Sequence, residues 1–190
     1  MIFYLVRHGQ TDWNNEKRMQ GHMDIPMNEE GIRQINELAE GLIKEGIIFN
    51  RLISSPLDRA RKSAEIIVEK TGFKDGILFD DDFIERSCGI LEGEVWTPEL
   101  NLEDPKYKVE TISELYIRAQ KALDKYDFAE SEKVMIVSHG AILTAVRTVL
   151  SDHTMDFFDR TVAVIQGNVL CCEINKNKKP AFYNVFKDCD

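Results

Sequence analysis

The stretch of sequence that decides the fold reads Leu5-Val6-Arg7-His8-Gly9-Gln10-Thr11. It continues an apolar run that begins at Met1, and this run predicts a first strand over Ile2 to Val6, buried on both faces of a sheet. Because the strand ends in Arg-His-Gly, it puts a cation and an imidazole at the carboxyl end of that sheet. Open α/β sheets hold their ligands at this end. The sequence therefore predicts an α/β fold with a ligand site that begins at Arg7 and His8.

Length, composition and charge indicate a globular protein and argue against several classes of partner. The chain has 190 residues, of which 43% are hydrophobic and 30% charged, so we expect one domain over residues 1–190. The net charge of -9 argues against nucleic acid or an anionic membrane as the main partner. The apolar start is too short for a signal-peptide core, and no stretch is long enough to span a membrane. We therefore expect a cytoplasmic protein.

The cysteines indicate neither a metal site nor a disulfide framework. Cys88, Cys171, Cys172 and Cys189 form no CxxC and no Cys/His metal-ligand spacing, and we expect all four to be reduced. Cys171 and Cys172 are adjacent in a predicted strand, so their side chains should point to opposite faces. Cys88 is an alternative nucleophile, although neither a helix N-terminus nor a clear base flanks it in the sequence.

Strands and helices alternate along the chain. Helices are predicted from Asn28 to Gly46, from Ser55 to Thr71, from Thr111 to Phe128 and from Gly140 to Leu150. Further strands are predicted from Arg51 to Ser54, Gly76 to Phe79, Lys133 to Ser138, Val162 to Ile165, Asn168 to Ile174 and Phe182 to Phe186, with a turn from Asn175 to Lys179. Ser55 should cap its helix, with Pro56 at the first helical position. The pattern predicts a three-layer α/β/α fold with a mainly parallel sheet and an antiparallel edge formed by the C-terminal strands.

Two segments lack a regular pattern. Gly9 to Met27 is rich in Asn, Gly and Pro, and long loops in compact domains are usually functional. Residues 94–110 show no clear period and contain Pro98 and Pro105. We interpret this second segment as a small insertion or lid rather than a domain.

His8 is a candidate nucleophile for a phosphoryl group. A histidine with an ordinary pKa of about 6.5 offers a neutral nitrogen near pH 7. The transferring group needs cations around its oxygens, and an alkoxide leaving group needs a general acid. Arg7 and Arg59 are the candidate cations. Arg59 lies in the first turn of a predicted helix, where a cation opposes the helix dipole unless an anion binds nearby; the alternative is a solvated surface arginine.

His139 repeats the pattern of His8, because a predicted strand ends in Val137-Ser138-His139-Gly140. If the two strands are neighbours, the two histidines face one another at the carboxyl edge of the sheet. The helix that starts at Gly140 would direct free backbone N–H groups to the same point, which favours an anion. Either histidine alone is more often structural than catalytic, whereas the shared context favours a common site.

The general acid is less well defined by the sequence. Glu85 and Glu92 are both candidates, and either could be a solvated acid in an acid-rich segment. Sequence spacing alone does not separate them.

Taken together, these residues resemble the histidine phosphatase superfamily, which has the phosphoglycerate mutase-like fold. The resemblance covers nearly the whole chain. It rests on five motifs in the family's order: Leu5 to Thr11 with Trp13-Asn14, Gln20-Gly21 with Asp24 and Pro26, Ser54 to Ala60, Glu85 with Gly89 and Glu92-Gly93, and Ser138-His139-Gly140.

The resemblance implies a role for each of these positions. His8 would carry the phosphoryl group, and Glu85 rather than Glu92 would donate the proton. Phosphate would be bound by Arg7, Arg59 and His139, and the substrate would contact Asn14, Gln20, Gly21, Thr11 and Gly140. The family uses no metal, and we expect no cofactor.

Two departures from the family pattern put substrate contacts in doubt. Gln10 stands where the family more often has Glu, so hydrogen bonding is kept and the charge is lost. Val109-Glu110-Thr111 stands where many members have Gly-Glu-Ser.

Two activities share this fold: a mutase returns the phosphoryl group to a sugar-acid hydroxyl, and a phosphatase passes it to water. The span between Glu85 and His139 holds one short insertion and one helix, whereas comparable mutases carry a longer insertion. The acid loop also lacks the Glu-Arg-His-Tyr-Gly sequence of mutases. The resemblance favours a phosphatase for a small phosphorylated metabolite, with a mutase or a non-catalytic phospho-ligand or partner-binding module as alternatives. Substrate and oligomeric state stay open.

Overall fold

A six-stranded sheet forms the centre of the structure, a computed structural model that describes residues 1–159, 161–175 and 178–186. The strands are β1 (Ile2–Arg7), β2 (Arg51–Ser54), β3 (Leu78–Phe79), β4 (Lys133–Ser138), β5 (Val169–Asn175) and β6 (Lys178–Asn184). Their order is β3-β2-β4-β1-β5-β6. Neighbours from β3 to β1 are parallel, whereas β5 is antiparallel to β1 and β6 to β5. The predicted α/β class, mainly parallel with an antiparallel edge, is confirmed.

Helices cover both faces of this sheet. They are α1 (Asp12–Asn15), α2 (Glu29–Lys44), α3 (Asp58–Thr71), α4 (Ile112–Asp124) and α5 (Gly140–Leu150). α2 and α3 pack on one face, where Leu38 and Ile67 are buried against Met135 of β4. α4 and α5 pack on the other face, where Leu115 and Leu143 are buried. Burial of each such side chain contributes about 1.5–3 kcal/mol. None of the helices in the described residues is long and apolar enough to cross a membrane.

Capping residues fix the ends of these helices. The side chain of Asn28 accepts the N–H of Gly31 at 2.9 Å at the start of α2. Thr111 and Glu114 form a capping box at the start of α4, so Thr111 is the cap. α3 ends at Thr71, and its C-cap is Gly72, whose φ of 72° lies in the left-handed region that favours glycine.

The two strands that are each followed by a histidine, β1 and β4, are direct neighbours, which meets the condition for a shared histidine site. In the parallel pairing of β1 with β4, Arg7 lies opposite Ser138. The N–H of His8 continues the ladder by donating to the carbonyl of Ser138 at 2.9 Å. His8 and His139 therefore leave the sheet side by side at its carboxyl edge.

The adjacent cysteines of β5 point to opposite faces, as predicted from the strand period. Cys171 packs with the α2 and α3 side, and Cys172 packs with the α4 and α5 side. Both are free thiols, as is Cys88. Cys189 lies outside the described residues.

The predicted start of α3 is wrong. Ser55 does not cap the helix and Pro56 is not its first residue, because α3 begins at Asp58 with Leu57 as its N-cap. The hydroxyl of Ser55 instead accepts the N–H of Leu57 at 3.3 Å and lies 2.8 Å from Nε2 of His139. The side chain of Ser55 therefore forms a hydrogen bond with His139 and does not cap α3.

The predicted strand from Val162 to Ile165 is also wrong, since these residues belong to no strand. Arg147 of α5 is 1% exposed, and its guanidinium donates to the carbonyls of Asp156, Asp159 and Val162 at 2.6–2.9 Å. Backbone carbonyls of this segment are thus used to solvate a buried cation.

Other differences concern the bounds of elements. The loop from Gly9 to Met27 contains the short α1, the third strand is reduced to two residues, and α4 ends at Asp124. β6 occupies Lys178–Asn184 rather than the range from Phe182 to Phe186. Residues 176 and 177 of the predicted turn lie outside the described residues.

Candidate active site

His8 and His139 lie together where β1 and β4 end. Their ring centroids are 5.1 Å apart, and the ring planes are inclined by 60°. His8 is 2% exposed and His139 is completely buried. His8 lines a cavity of about 270 Å³, whereas His139 lies behind the cavity wall.

One ring nitrogen of His8 is fixed by the backbone. Nδ1 lies 2.7 Å from the carbonyl oxygen of Gly9. Because a carbonyl only accepts, Nδ1 carries the proton, and Nε2 of the neutral ring keeps a lone pair. Burial lowers the pKa of His8 well below 6.5, and the Arg59 and Arg7 cations lower it further. The side chain is therefore held as a neutral imidazole with a free nitrogen.

Close packing of two glycines holds the backbone that follows His8. A Cβ atom at Gly9 would lie 2.3 Å from the carbonyl oxygen of Gly31 in α2, which no real side chain permits. The N–H of Gly9 donates to the hydroxyl of Ser63 in α3 at 3.2 Å. The loop after β1 is thus clamped between α2 and α3.

Arg59 is completely buried and organises the loop that precedes α2. Its Nη1 and Nη2 atoms donate to the carbonyls of Met23 at 2.7 Å and Gly21 at 2.9 Å. Its Nε donates to Nδ1 of His139 at 3.2 Å. His139 is consequently neutral here and donates from Nε2 to Ser55 at 2.8 Å. Burial, followed by the charge of Arg59, lowers the pKa of His139 well below 6.5.

The two arginines of the site lack carboxylate partners. Neither Arg7 nor Arg59 has an ion pair within 4 Å among the described residues. The Nε atom of Arg7 is buried and has no hydrogen-bond partner there. Gly140 packs beside this guanidinium, and a Cβ at that position would make an ordinary van der Waals contact of 3.4 Å with Nε. Buried unpaired cations are costly, so the arrangement favours an anion in the cavity.

Glu85 is held at the N-terminus of α5. Its carboxylate accepts the N–H groups of Ala141 at 3.1 Å and Ile142 at 3.2 Å, and also that of Arg86 at 2.8 Å. Glu85 lines the cavity together with His8 and both arginines. The site thus combines an imidazole, two cations and a carboxyl group.

Glu92, the other candidate for the general acid, accepts hydrogen bonds from backbone N–H groups of the neighbouring loops. Its Oε1 accepts the N–H of His22 at 2.9 Å and that of Cys88 at 3.4 Å. Glu92 is not among the residues that line the cavity in the described chain. The structure therefore separates two glutamates that sequence spacing left equivalent.

The residues expected to contact substrate divide into two groups. Asn14, Gln20 and Gly21 line the cavity. Thr11 does not: its buried side chain caps α1. Gly140 packs behind the wall against Arg7.

Cys88 lines the cavity but is a poor nucleophile. Burial, together with the charges of Glu85 and Glu92, raises the pKa of its thiol to about 12. Only the thiolate attacks efficiently, so the structure disfavours this alternative.

The two departures from the family pattern lie outside the cavity wall. The side chain of Gln10 accepts from Asn28 at 3.3 Å, next to α2. Glu110 pairs with Arg118 at 2.7 Å and accepts the N–H of Ser87 at 3.1 Å. Of the two residues that differ from Gly-Glu-Ser, Thr111 caps α4, and neither it nor Val109 lines the cavity.

Two supporting residues were missed by the sequence analysis. Nε2 of Gln166 donates to the carbonyl of His8 and to Oδ1 of Asn14, both at 3.2 Å. Arg118 of α4 donates to the carbonyls of Ile84 at 2.8 Å and Glu85 at 3.1 Å. Neither residue belongs to a recognisable motif, and only the tertiary fold brings them to the site.

Within the described residues, no group of His, Cys, Asp or Glu side chains could hold a metal ion.

Comparisons with known proteins identify the family. The sequence model of the histidine phosphatase superfamily (branch 1) matches residues 3–181. PhoE, an uncharacterized phosphatase of Bacillus subtilis, is 40% identical over 154 residues, covering 77% of this chain and 76% of the relative. Phosphoglycerate mutase-like protein 4 of Arabidopsis thaliana is 34% identical over 157 residues, covering 75% and 67%.

A solved structure has the same fold. Phosphoglycerate mutase from Bacillus anthracis superposes with a TM-score of 0.77 at 23% identity, covering 97% of this chain and 92% of that one. The names of these proteins include both a phosphatase and phosphoglycerate mutases. The comparisons therefore show the family but do not distinguish between the two reactions. The chain belongs to the histidine phosphatase superfamily.

Proposed function

We propose that this protein hydrolyses small phosphomonoesters through a phosphohistidine at His8, with Glu85 as the general acid. The proposal rests on one observation above all: a neutral His8 with a free Nε2 faces a cavity beside two arginines that have no carboxylate partner. Such an arrangement matches the needs of phosphoryl transfer, which are a nucleophile, cations and a proton donor.

In the first step the phosphate monoester binds between Arg7 and Arg59. The phosphate would supply the acceptor that the buried Nε of Arg7 lacks. Asn14 adds a further donor, because its Oδ1 is taken by Thr11 and Gln166 and its amide nitrogen is left for the substrate. His139 holds Arg59 in place, and its ring centroid lies 5.1 Å from that of His8, with both of its own nitrogens bonded to Arg59 and Ser55.

In the second step Nε2 of His8 attacks phosphorus. The N–P bond forms, the bond from phosphorus to the ester oxygen breaks, and protonated Glu85 gives its proton to that oxygen. The N–H groups of Ala141 and Ile142 stabilise the carboxylate that remains. Water then attacks the phosphohistidine, Glu85 takes a proton from this water, and inorganic phosphate leaves with the neutral imidazole restored.

Three features favour water over a second substrate hydroxyl as the acceptor. The segment 94–110 is short and supplies only Trp96 and Leu102 to the cavity wall, so we treat it as a partial lid. The acid loop differs from the mutase sequence. The 40% identical relative also carries a phosphatase name. We place the enzyme in the cytoplasm, as a single domain over residues 1–190.

The test measures phosphate release from p-nitrophenyl phosphate and a phosphoenzyme trapped by rapid quenching. We expect His8→Ala to lose both, with turnover reduced at least about a thousandfold. His153→Ala is the matched control, since this histidine is exposed and lies outside the cavity. Primer-dependent isomerisation of phosphoglycerate with little phosphate release would favour the mutase instead. Phosphate binding without turnover of any ester would favour the binding module.

A further inference from the structure

Beyond the phosphate-binding groups, the wall of the cavity is largely apolar. Met19, Trp96, Leu102 and Phe157 line this outer part. Trp96 and Leu102 come from the segment 94–110, and 47% of Trp96 is exposed. A leaving group that extends from the phosphate would therefore meet an indole, a phenyl ring and aliphatic side chains.

The cations of the outer wall are already neutralised by the protein. Among the described lining residues they are Arg18 and Arg86. Nη2 of Arg86 lies 2.6 Å from Oε1 of Glu103, and its Nε donates to the carbonyl of Glu110 at 2.6 Å. Arg18 pairs with Glu16 at 2.5 Å.

The Arg86–Glu103 pair differs from an ordinary surface ion pair. The side chain of Arg86 is only 10% exposed, whereas that of Glu103 is 48% exposed. Glu103 thus reaches from the solvent side of the 94–110 segment to a nearly buried cation on the cavity wall. Its carboxylate neutralises the charge of Arg86 that would otherwise attract a substrate carboxylate to this part of the wall.

We infer that Glu103 excludes carboxylated substrates, and that the enzyme prefers phosphomonoesters whose leaving group is uncharged and has an aromatic or apolar face. This inference rests on the proposed phosphatase function and names its substrate class. A substrate carboxylate would meet an arginine whose charge Glu103 already neutralises at 2.6 Å, and the negative charge of Glu103 would lie directly across that guanidinium. Like charges placed together at an interface disfavour binding strongly. An uncharged aromatic group instead buries apolar surface against Trp96 and Phe157.

Two aryl phosphates that differ only in charge test the inference. They are 3-carbamoylphenyl phosphate and 3-carboxyphenyl phosphate, which have nearly the same shape and both offer a phenol leaving group. We expect the wild-type kcat/KM to be at least about tenfold higher for the carbamoyl ester, as a lost charge-assisted contact would give. Most of the difference should lie in KM, since the contact is remote from the phosphorus.

Glu103→Gln removes the negative charge of this side chain while nearly keeping its shape. The substitution removes the like charge and releases Arg86, so the preference for the carbamoyl ester should shrink by about tenfold. Adding Arg86→Gln to this variant should abolish the improved hydrolysis of the carboxyl ester, because the released cation is removed. Glu99→Gln is the matched control, because Glu99 is an exposed glutamate of the same segment outside the cavity wall. It should leave the preference unchanged.

The outcomes distinguish the inference from the function on which it rests. Equal wild-type hydrolysis of both esters, or a preference that Glu103→Gln leaves intact, would overturn the inference while the phosphatase function stands. Failure to hydrolyse either ester, together with no phosphoenzyme, would overturn the proposed function and the inference with it.

Discussion

The carboxylate of Glu85 accepts the backbone N–H of Ala141 at 3.1 Å, although the two residues are 56 positions apart in the sequence. This contact joins the acid loop to the N-terminus of α5, immediately after the strand that ends in His139. The positive end of the helix dipole therefore faces the proposed general acid rather than the phosphate directly. In the proposed reaction, the helix would stabilise the carboxylate that forms when Glu85 protonates the leaving group.

Glu85→Gln tests this role through the leaving group. An amide cannot donate the required proton, so kcat/KM for an alkyl phosphate should fall by about 10²–10⁴-fold. Hydrolysis of p-nitrophenyl phosphate should fall far less, because its leaving group needs little protonation. Steady-state kinetics with both esters measure the difference.

Glu92→Gln is the control for this experiment. Glu92 accepts N–H groups of His22 and Cys88 and lies outside the cavity wall, so its substitution should affect both esters alike. If Glu85→Gln slowed alkyl and aryl esters equally, Glu85 would not be the acid.

The protonation of His8 provides a second prediction. Burial and the neighbouring arginines lower the pKa of His8 well below 6.5, so the ring should stay neutral as the pH falls through 6.5. Nitrogen-15 NMR of the histidine rings measures this directly, with Nε2 of His8 keeping the shift of an unprotonated nitrogen. Titration of His8 at its ordinary value near 6.5 would contradict the proposed electrostatics.

The same pKa shift has a consequence for stability. His8 and His139 both have lowered pKa values in the folded state, so below pH 6.5 the unfolded chain binds more protons. Their contribution to the free energy of unfolding is thus present above pH 6.5 and is lost as the pH falls. Denaturant unfolding between pH 7 and pH 5 should show a weaker pH dependence for a double variant, His8→Gln with His139→Gln.

The proximity of His8 and His139 is predictable from the sequence. Each histidine follows an apolar strand, and the carboxyl ends of parallel strands lie at the same edge of a sheet. The choice between Glu85 and Glu92 is not, since both lie in one acid-rich loop. What distinguishes them is the N-terminus of α5, which only the fold brings to Glu85. Sequence position alone carries no information about such a contact.

The wrong predictions have the same cause. Ser55 precedes Pro56 in a pattern typical of a helix start, yet its hydroxyl is needed by His139. The segment from Val162 to Ile165 has the β-branched composition of a strand, yet the carbonyl of Val162 accepts from the buried Arg147. In both places a polar contact between residues far apart in the sequence overrides the local structural preference. Such a contact cannot be predicted from the local sequence.

Arg118 supports the last prediction, because it connects α4 to the backbone of the acid loop. Its guanidinium donates to the carbonyls of Asp82, Ile84 and Glu85 at 2.8–3.1 Å and pairs with Glu110 at 2.7 Å. Its side chain is 17% exposed. Arg118→Gln should therefore lower the free energy of unfolding by about 2–3 kcal/mol, as the loss of hydrogen bonds to a charged group does.

A purely structural role for Arg118 would not change the dependence on the leaving group, whereas a positioning role would. We expect Arg118→Gln to slow alkyl phosphates more than p-nitrophenyl phosphate, because Glu85 loses its alignment with the ester oxygen. Arg33→Gln is the matched control, since Arg33 pairs with Glu30 and Glu37 on the exposed face of α2 and should change neither stability nor kinetics measurably. If Arg118→Gln were no more destabilising than Arg33→Gln, or slowed both esters equally, the acid loop would be positioned by other contacts, of which the helix N-terminus at Ala141 is the first candidate.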